Sequence, residues 1–258
     1  MAKISSKKAD PTLVSGPITI QALSSRTATF RIIGTQPMLQ NRMANKVMEG
    51  LLVGTRKKTR AERVEIKHDP LAEFRSAVEM MHDGPTALGL KVVAVKSAMC
   101  TAALETGGIT KTSAQRLLFM PGEKVPLYGI PQLRMDVVRS ADIGHTPDVR
   151  TRPFLPKWGA EIEITYIVPQ LSAVSVTTLL YNAGIIVGIG DGRQEKGKMA
   201  FGSFRVLRDG EDEKLWDDLV KHHGRKAQEK ALKNPEYADD DTRDLMEFFF
   251  AETQRRAA

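Results

Sequence analysis

The stretch GIIVGIGDGRQEKGKMAFGSF, residues 184–204, holds six glycines between an apolar helix-like run and an apolar strand-like run. Glycine adopts positive φ without penalty and lets the backbone approach its surroundings closely. We therefore expect a helix-to-strand junction that either makes tight turns or lies against a ligand. The cations Arg193, Lys196 and Lys198 favour the second option, with the phosphate backbone of a nucleic acid as the ligand. The glycines that would shape this loop are Gly188, Gly190, Gly192, Gly197 and Gly202.

Three phosphate-loop patterns do not fit this segment. A dinucleotide fingerprint places G-x-G-x-x-G after a strand and at the start of a helix. Here the pattern is G-x-G-x-G, and it follows a helix-like run and precedes a strand-like one. A Walker A loop requires Ser or Thr after Gly-Lys, whereas Gly197-Lys198 is followed by Met199. The catalytic motifs of kinases are also missing, so we do not predict a nucleotide-hydrolysing enzyme.

Charge is unevenly distributed along the 258 residues. Residues 1–68 carry 13 Lys or Arg against 4 Asp or Glu, whereas residues 209–258 carry 9 against 14. A basic front and an acidic tail predict a nucleic-acid partner or head-to-tail self-association. Ordinary solubilising charge is the third interpretation.

Composition indicates the setting of the chain. One cysteine, Cys100, excludes an intramolecular disulfide and favours the cytoplasm, or the host cytoplasm for a phage protein. No apolar run reaches the roughly 18–20 residues of a membrane span, and the first residues lack the apolar region of a signal peptide. One cysteine and five scattered histidines argue against a zinc site. We predict no metal and no cofactor.

The element order predicts an α+β protein with a mostly antiparallel sheet and helices on one face. We expect a disordered arm at 1–16, an α+β domain at 17–208 with a basic insertion at about 43–68, and an acidic helical tail at 209–258. Predicted strands lie at Ala28–Ile33, 123–130, 132–140, Ala160–Val168 and 201–208. Predicted helices run from Leu71 to Met81, around Val95–Leu104, and from the N-cap Ser172 to the stop at Gly184.

Two further segments are candidates for contacts with nucleic acid. The segment GTRKKTRAER is almost devoid of apolar residues, and we predict that Arg56, Lys57, Lys58 and Arg60 clamp phosphates in a salt-dependent manner. The segment RTRPFLPKW mixes Arg150, Arg152 and Lys157 with Phe154 and Trp158, as single-strand binding requires. The alternatives are a solvated loop for the first segment and core packing of both aromatic rings for the second.

Histidines offer the only route to catalysis that we can identify. A general base could come from any of three histidines, and carboxylates lie near the last of them. These residues are His68, His82 and His145, with Asp142 and Asp148. His145 has no companion nucleophile at a recognisable spacing, so we assign no catalytic residue.

Three segments together resemble the RAMP superfamily, the repeat-associated RNA-binding proteins of CRISPR systems, and bacteriophage proteins of that type. They are IIGTQPMLQNR, VVAVKSAMCTAA and GIGDGRQEKGKMAFGSFRV, in that order along the chain. The resemblance covers roughly residues 28–208. It implies a ferredoxin-like, RRM-like βαββαβ core, a glycine-rich loop against a nucleic-acid strand, and a head-to-tail homo-oligomer.

We therefore predict a nucleic-acid-binding protein, largely independent of sequence, that holds single-stranded RNA or DNA in phage replication, recombination or RNA metabolism. One alternative is a virion or assembly subunit that self-associates through its charge asymmetry. The other is a metal-independent ribonuclease that uses His145. The preference between RNA and DNA depends on fine geometry around the 2′-hydroxyl.

Overall fold

A computed structural model describes residues 20–43, 48, 52, 68–139, 146–196, 199–208, 210 and 212–257. Several predictions fall outside these ranges. They are the arm at 1–16, the clamp residues Arg56, Lys57, Lys58 and Arg60, the loop residues Gly197 and Lys198, and the candidates Asp142 and His145.

The described chain alternates strands and helices, and its last part is helical. The strands are β1 Ser24–Gly34, β2 Met38–Leu39, β3 Gly89–Lys91, β4 Leu118–Phe119, β5 Lys124–Tyr128, β6 Gln132–Arg139, β7 Pro147–Leu155, β8 Gly159–Val168 and β9 Phe204–Val206. The helices are α1 Pro70–Ser76, α2 Val92–Thr106, α3 Lys111–Leu117, α4 Ala173–Asn182, α5 Glu213–His222, α6 Arg225–Lys233 and α7 Asp240–Ala257. The predicted α+β class and mostly antiparallel pairing are confirmed.

These strands form two sheets. The first has the order β3-β5-β8-β1-β9, and β4 also pairs with β8. The second has the order β2-β7-β6. All the named pairs are antiparallel. The two sheets meet where β1 leads through a short turn into β2, and where β7 leads into β8.

One face of the first sheet is buried under α2 and α4. Along β8, Ile162 and Ile164 are buried and alternate with the exposed Glu161 and Glu163. This is the period of two that the sequence predicted. Trp158 is also fully buried, and its indole N–H donates to the Gln36 carbonyl at 2.9 Å. Trp158 therefore packs in the core, as the second interpretation of its segment proposed.

Two predicted helix boundaries are wrong. Helix α1 ends at Ser76 instead of Met81, because the chain then becomes extended and Glu79 accepts a hydrogen bond from the Gly89 amide at 2.7 Å. Helix α4 does start after Ser172, whose hydroxyl accepts from the Ser175 amide at 3.1 Å. It does not stop at Gly184, however, but continues as a π turn over Ala183–Val187.

The helical tail packs onto both sheets. The buried Gln228 on α6 accepts from the Ala87 amide at 2.7 Å and donates to the Leu127 carbonyl at 2.8 Å. On α7, the Thr242 hydroxyl accepts from the Met135 amide of β6 at 3.1 Å. The tail is therefore attached by buried hydrogen bonds, which are more directional than apolar contacts alone.

Candidate nucleic-acid interface

The glycine-rich loop lies against the chain's own backbone. The Asp191 amide donates to the Leu39 carbonyl at 2.9 Å, and the Gly202 amide donates to the Pro37 carbonyl at 2.7 Å. At Gly190, where φ is +93°, a Cβ would lie 2.6 Å from the Leu39 carbonyl oxygen. These amides are used within the fold, so the prediction that the loop wraps a phosphate with them is not supported. The predicted Gly188 and Gly192 also have positive φ.

Arg152 fastens this loop to the second sheet. Its guanidinium donates to Asp191 of the loop at 2.8 Å and to Asp136 of β6 at 2.7 Å. The Arg152 side chain is only 4% exposed. The sequence predicts that Arg152 contacts nucleic acid, but a phosphate cannot reach a guanidinium that is buried and bonded to two carboxylates. Arg152 is a structural residue that fixes the loop.

The electrostatics of Asp191 follow from this contact. Burial alone would raise the pKa of Asp191, but hydrogen bonds from Arg152, from the Asn41 amide and from the Gly192 amide hold it below its usual value. Asp191 therefore stays ionised in the fold through the pH range in which most proteins work. Arg152 is shared between Asp191 and Asp136, and Asp136 also pairs with Arg134 at 3.0 Å, so each carboxylate has a cation beside it.

Two aromatic rings and Arg134 complete the contact between loop and sheet. Phe154 on β7 and Phe201 in the loop meet edge to face, with ring centroids 6.1 Å apart. The Arg134 guanidinium lies over both rings, 5.3 and 5.6 Å from their centroids. Both rings are half-buried. Phe154 therefore serves the packing of the loop in this structure, and the stacking of a nucleobase on it has no support here.

The other predicted cations are accessible to different extents. Side chains two residues apart on a strand share a face, so Arg150 points to the same side of β7 as Arg152, and it is exposed. In the loop, Lys196 is 65% exposed, and Arg193 pairs with Glu195 at 2.9 Å. Lys157 is exposed in the turn between β7 and β8, near His223. Because Arg152 joins β7 to the loop through Asp191, we refer to the exposed Arg150 of β7 and the loop cations Arg193 and Lys196 together as the loop face.

The described residues that flank the basic insertion, Asn41 and His68, both make side-chain contacts with the loop or with β7. Just before the insertion, the Asn41 side chain donates to Asp191 at 2.8 Å. Just after it, His68 lies 3.0 Å from Asp148 on β7 and 2.6 Å from Glu73 on α1. The described residues on either side of the insertion, Asn41 and His68, therefore lie close to β7 and the loop that β7 contacts. Residues 44–67, which contain the predicted clamp, hold seven Lys or Arg against three Glu.

The open face of the first sheet does not have the character of an RNA platform. RRM domains stack bases on aromatic side chains of their central strands. Here the corresponding positions of β1 and β8 carry hydroxyl or charged side chains. They are Thr27, Thr29 and Arg31 on β1, and Glu161, Glu163 and Thr165 on β8. A base-stacking mode on this sheet is therefore not favoured.

Sequence reasoning missed a second basic patch. Lys96 on α2 lies 5.4 Å from the ring centroid of Phe119, which is 48% exposed on β4. Lys96 and Lys111 are both close enough to act on the Cys100 thiol, whose pKa is nevertheless raised because burial outweighs them. Lys96 and Phe119 belong to different elements, α2 and β4, and no local pattern marks them as neighbours.

A surface pair beside β9 gives a pH prediction. Two hydrogen bonds from the Arg205 guanidinium, with the Arg208 amide, lower the pKa of Asp212 to about 2. A lowered pKa means that the pair stabilises the fold above the ordinary value of 3.8 and loses that effect as the pH falls toward 2. We expect an NMR titration to place the Asp212 midpoint near 2. In Arg205→Met it should rise toward 3.8, and an unchanged midpoint would contradict this origin.

No helix within the described ranges is long and apolar enough to cross a bilayer. No group of three or more His, Cys, Asp or Glu side chains there is arranged to hold a metal ion. No protein-family model and no curated protein sequence matches the chain. The contacts, charges and exposure of this chain's own residues therefore carry the functional proposal.

Proposed function

We propose that this protein binds single-stranded nucleic acid through the phosphate backbone, largely independently of sequence. The observation that supports this most is where the described residues on either side of the basic segment lie. Asn41 contacts Asp191 of the loop, and His68 contacts Asp148 of β7. The sequence between these two residues carries seven Lys or Arg against three Glu at 44–67.

We also propose that the first sheet is a ferredoxin-like core. Its elements follow the order β1, α2, β4 and β5, β8, α4, β9, which has the strand–helix–strand–strand–helix–strand pattern of that motif. β1 lies between β8 and β9, and its neighbours are antiparallel. This order agrees with the fold that the RAMP resemblance implies. In this account, the second sheet and the glycine loop form an addition that carries the binding surface.

Backbone recognition fits the side chains better than base reading does. The rings near the loop face pack against Arg134 and each other, so little aromatic surface is left for bases. Lys and Arg side chains neutralise phosphates without distinguishing sequence. We propose phage replication, recombination or RNA metabolism as the setting of this binding, in which a protein that accepts strands of any sequence is of use.

Salt dependence tests the proposal. We expect fluorescence anisotropy with an unstructured RNA or DNA of about 20 nucleotides to show affinity falling steeply with salt. In Arg150→Ala/Lys196→Ala, two phosphate contacts are lost. The slope of log Kd against log salt should then fall by about 1.4, since each contact to a single strand contributes about 0.7.

The control is a variant with the same change of charge elsewhere. Lys214→Ala/Lys221→Ala removes two exposed cations from α5 and should leave the slope nearly unchanged. If the control weakens binding as much as the test variant, net charge alone governs the affinity and the loop face is not the site. If the parent protein binds neither RNA nor DNA at low salt, the assembly-subunit alternative is favoured.

A further inference from the structure

The first sheet has an unpaired edge along most of β1. β8 pairs with β1 from Ser24 to Ile33, but β9 pairs only with Ile32–Gly34. Within the described ranges, no strand lies beside Ser24–Phe30 on the β9 side. The corresponding edge of the second sheet is covered at its first residues, because Leu133 on β6 exchanges backbone hydrogen bonds with Glu236 and Ala238. An exposed strand edge is a ready template for another strand.

The hydrogen-bonding direction along this edge follows from one contact. The Leu207 amide donates to the Arg31 carbonyl at 2.8 Å, so the backbone groups of Arg31 face the β9 side. Because the direction alternates along an antiparallel strand, the N–H and C=O groups of Ser25, Thr27 and Thr29 face the same side. These six groups point to the open edge.

An apolar stripe on α4 runs beside the same edge. Val174, Tyr181 and Ile185 are 75%, 47% and 46% exposed, and their spacing puts them on one side of the helix. Tyr181 and Ile185 line a cleft of about 590 Å³ next to β9. A second cleft of about 430 Å³ lies beside Thr29–Arg31 of β1, between Thr177 of α4 and the segment that follows β9. A strand added to the edge would place alternate side chains on this stripe.

We propose that a second copy of this chain occupies this edge, with the two β1 strands pairing antiparallel across a two-fold axis at Thr27. In that register Ser25 faces Thr29 of the second copy, and Thr27 faces Thr27, so the six outward backbone groups meet their counterparts. Threonine pairs are favourable across antiparallel strands. The same patch serves both copies, as an isologous interface requires. The two sheets become one continuous sheet, with both α4 helices on the same face.

The available area is sufficient for a weak dimer. Seven strand residues and the α4 stripe offer on the order of 600 Å² per copy, or about 1,200 Å² in total, the lower limit of a standard specific interface. Arg26 of each copy lies diagonally across the seam, and like charges there oppose pairing. Salt screens that repulsion. Salt therefore strengthens the dimer, whereas it weakens nucleic-acid binding, and the two properties can be separated.

Analytical ultracentrifugation of the full chain without nucleic acid tests the proposal. The parent should show a reversible monomer–dimer equilibrium, which Thr27→Pro and Val174→Asp each weaken about tenfold or more. Proline at Thr27 removes an N–H that faces the open edge, so the β8 ladder is kept. The control is Val137→Asp, which changes an equally exposed valine on β6 and should leave the dimer intact.

The outcomes divide clearly. A parent that is monomeric at every concentration overturns the proposal, as does dissociation by Val137→Asp. Retention of the dimer in a folded Thr27→Pro and in Val174→Asp places the interface elsewhere and also overturns it. If Thr27→Pro does not fold, as judged by its unfolding transition, Val174→Asp decides alone. Replacement of Arg26 by threonine should tighten the dimer, because the repulsion across the seam is removed.

Discussion

Gly202→Ala should lose at least about 3 kcal/mol of unfolding free energy. The residue has a φ of +73°, which by itself costs an alanine roughly 1–2 kcal/mol. Its Cβ would also overlap the Ile189 carbonyl oxygen, because the two backbones already lie in contact: the Ile189 amide donates to the Gly202 carbonyl at 2.9 Å. Relief requires a backbone shift in the loop. Guanidinium denaturation monitored by tryptophan fluorescence measures the loss.

Gly108→Ala provides the matched control. Its φ is +75°, nearly the same as that of Gly202, but nothing lies within 4 Å of the new Cβ. The change should therefore cost only the backbone term of about 1–2 kcal/mol. Equal losses at the two positions would show that the close approach of Gly202 to Ile189 contributes nothing, and would contradict the packing described for the loop.

Arg152→Met should destabilise the protein by up to about 3 kcal/mol, the lower end for a broken buried pair. The change removes the cation that Asp136 and Asp191 share, but Asp136 keeps Arg134 at 3.0 Å and Asp191 is 36% exposed to screening solvent. Further replacement of both aspartates by asparagine should recover a large part of the loss, since no unpaired charge then remains. The loss should also shrink in acid. The lowered pKa of Asp191 means that the parent has its pairing energy above about pH 3.8 and loses it below.

Arg193→Met tests whether the large loss of stability expected for Arg152→Met is caused by the burial of that guanidinium. Arg193 belongs to the same loop and also pairs with a carboxylate, Glu195, but its side chain is 33% exposed. Exposed pairs contribute about 0–1 kcal/mol, so the loss should be correspondingly small. Urea or guanidinium midpoints at neutral pH compare the variants. A loss in Arg193→Met as large as that in Arg152→Met would contradict the assignment of Arg152 as the fastening residue.

Much of the secondary structure could be predicted because local patterns determine it. The alternation in Ala160–Val168 corresponds to β8, and the Gly107-Gly108 pair follows α2 directly. β7 was missed, since Pro147 and Pro153 argue against a strand and its polar residues suggest a loop. The end of α1 was missed because contacts distant in sequence, at Ala87 and Gly89, take over the backbone there.

The candidate site was only partly predictable. The segment RTRPFLPKW was a candidate for its cations alone, without a predicted strand or a predicted contact with the loop, and a sequence cannot show which arginine is buried. The Arg152 guanidinium is hydrogen-bonded to Asp136 and Asp191, which lie 16 and 39 residues away in the sequence. Arg150, two residues earlier, remains exposed. The sequence correctly indicated that the glycines allow a close approach of the backbone. The group that they approach, the backbone near Leu39, could be identified only from the tertiary structure.

Photo-crosslinking to an RNA that carries 4-thiouridine, followed by mass spectrometry, tests the central claim most directly. The account predicts crosslinked peptides from three separate segments: residues 44–67, the part of β7 around Arg150, and the loop around Arg193 and Lys196. These crosslinks should disappear together as salt is raised. Crosslinks confined to the patch around Lys96 and Phe119, or to α5 and α6, would contradict it.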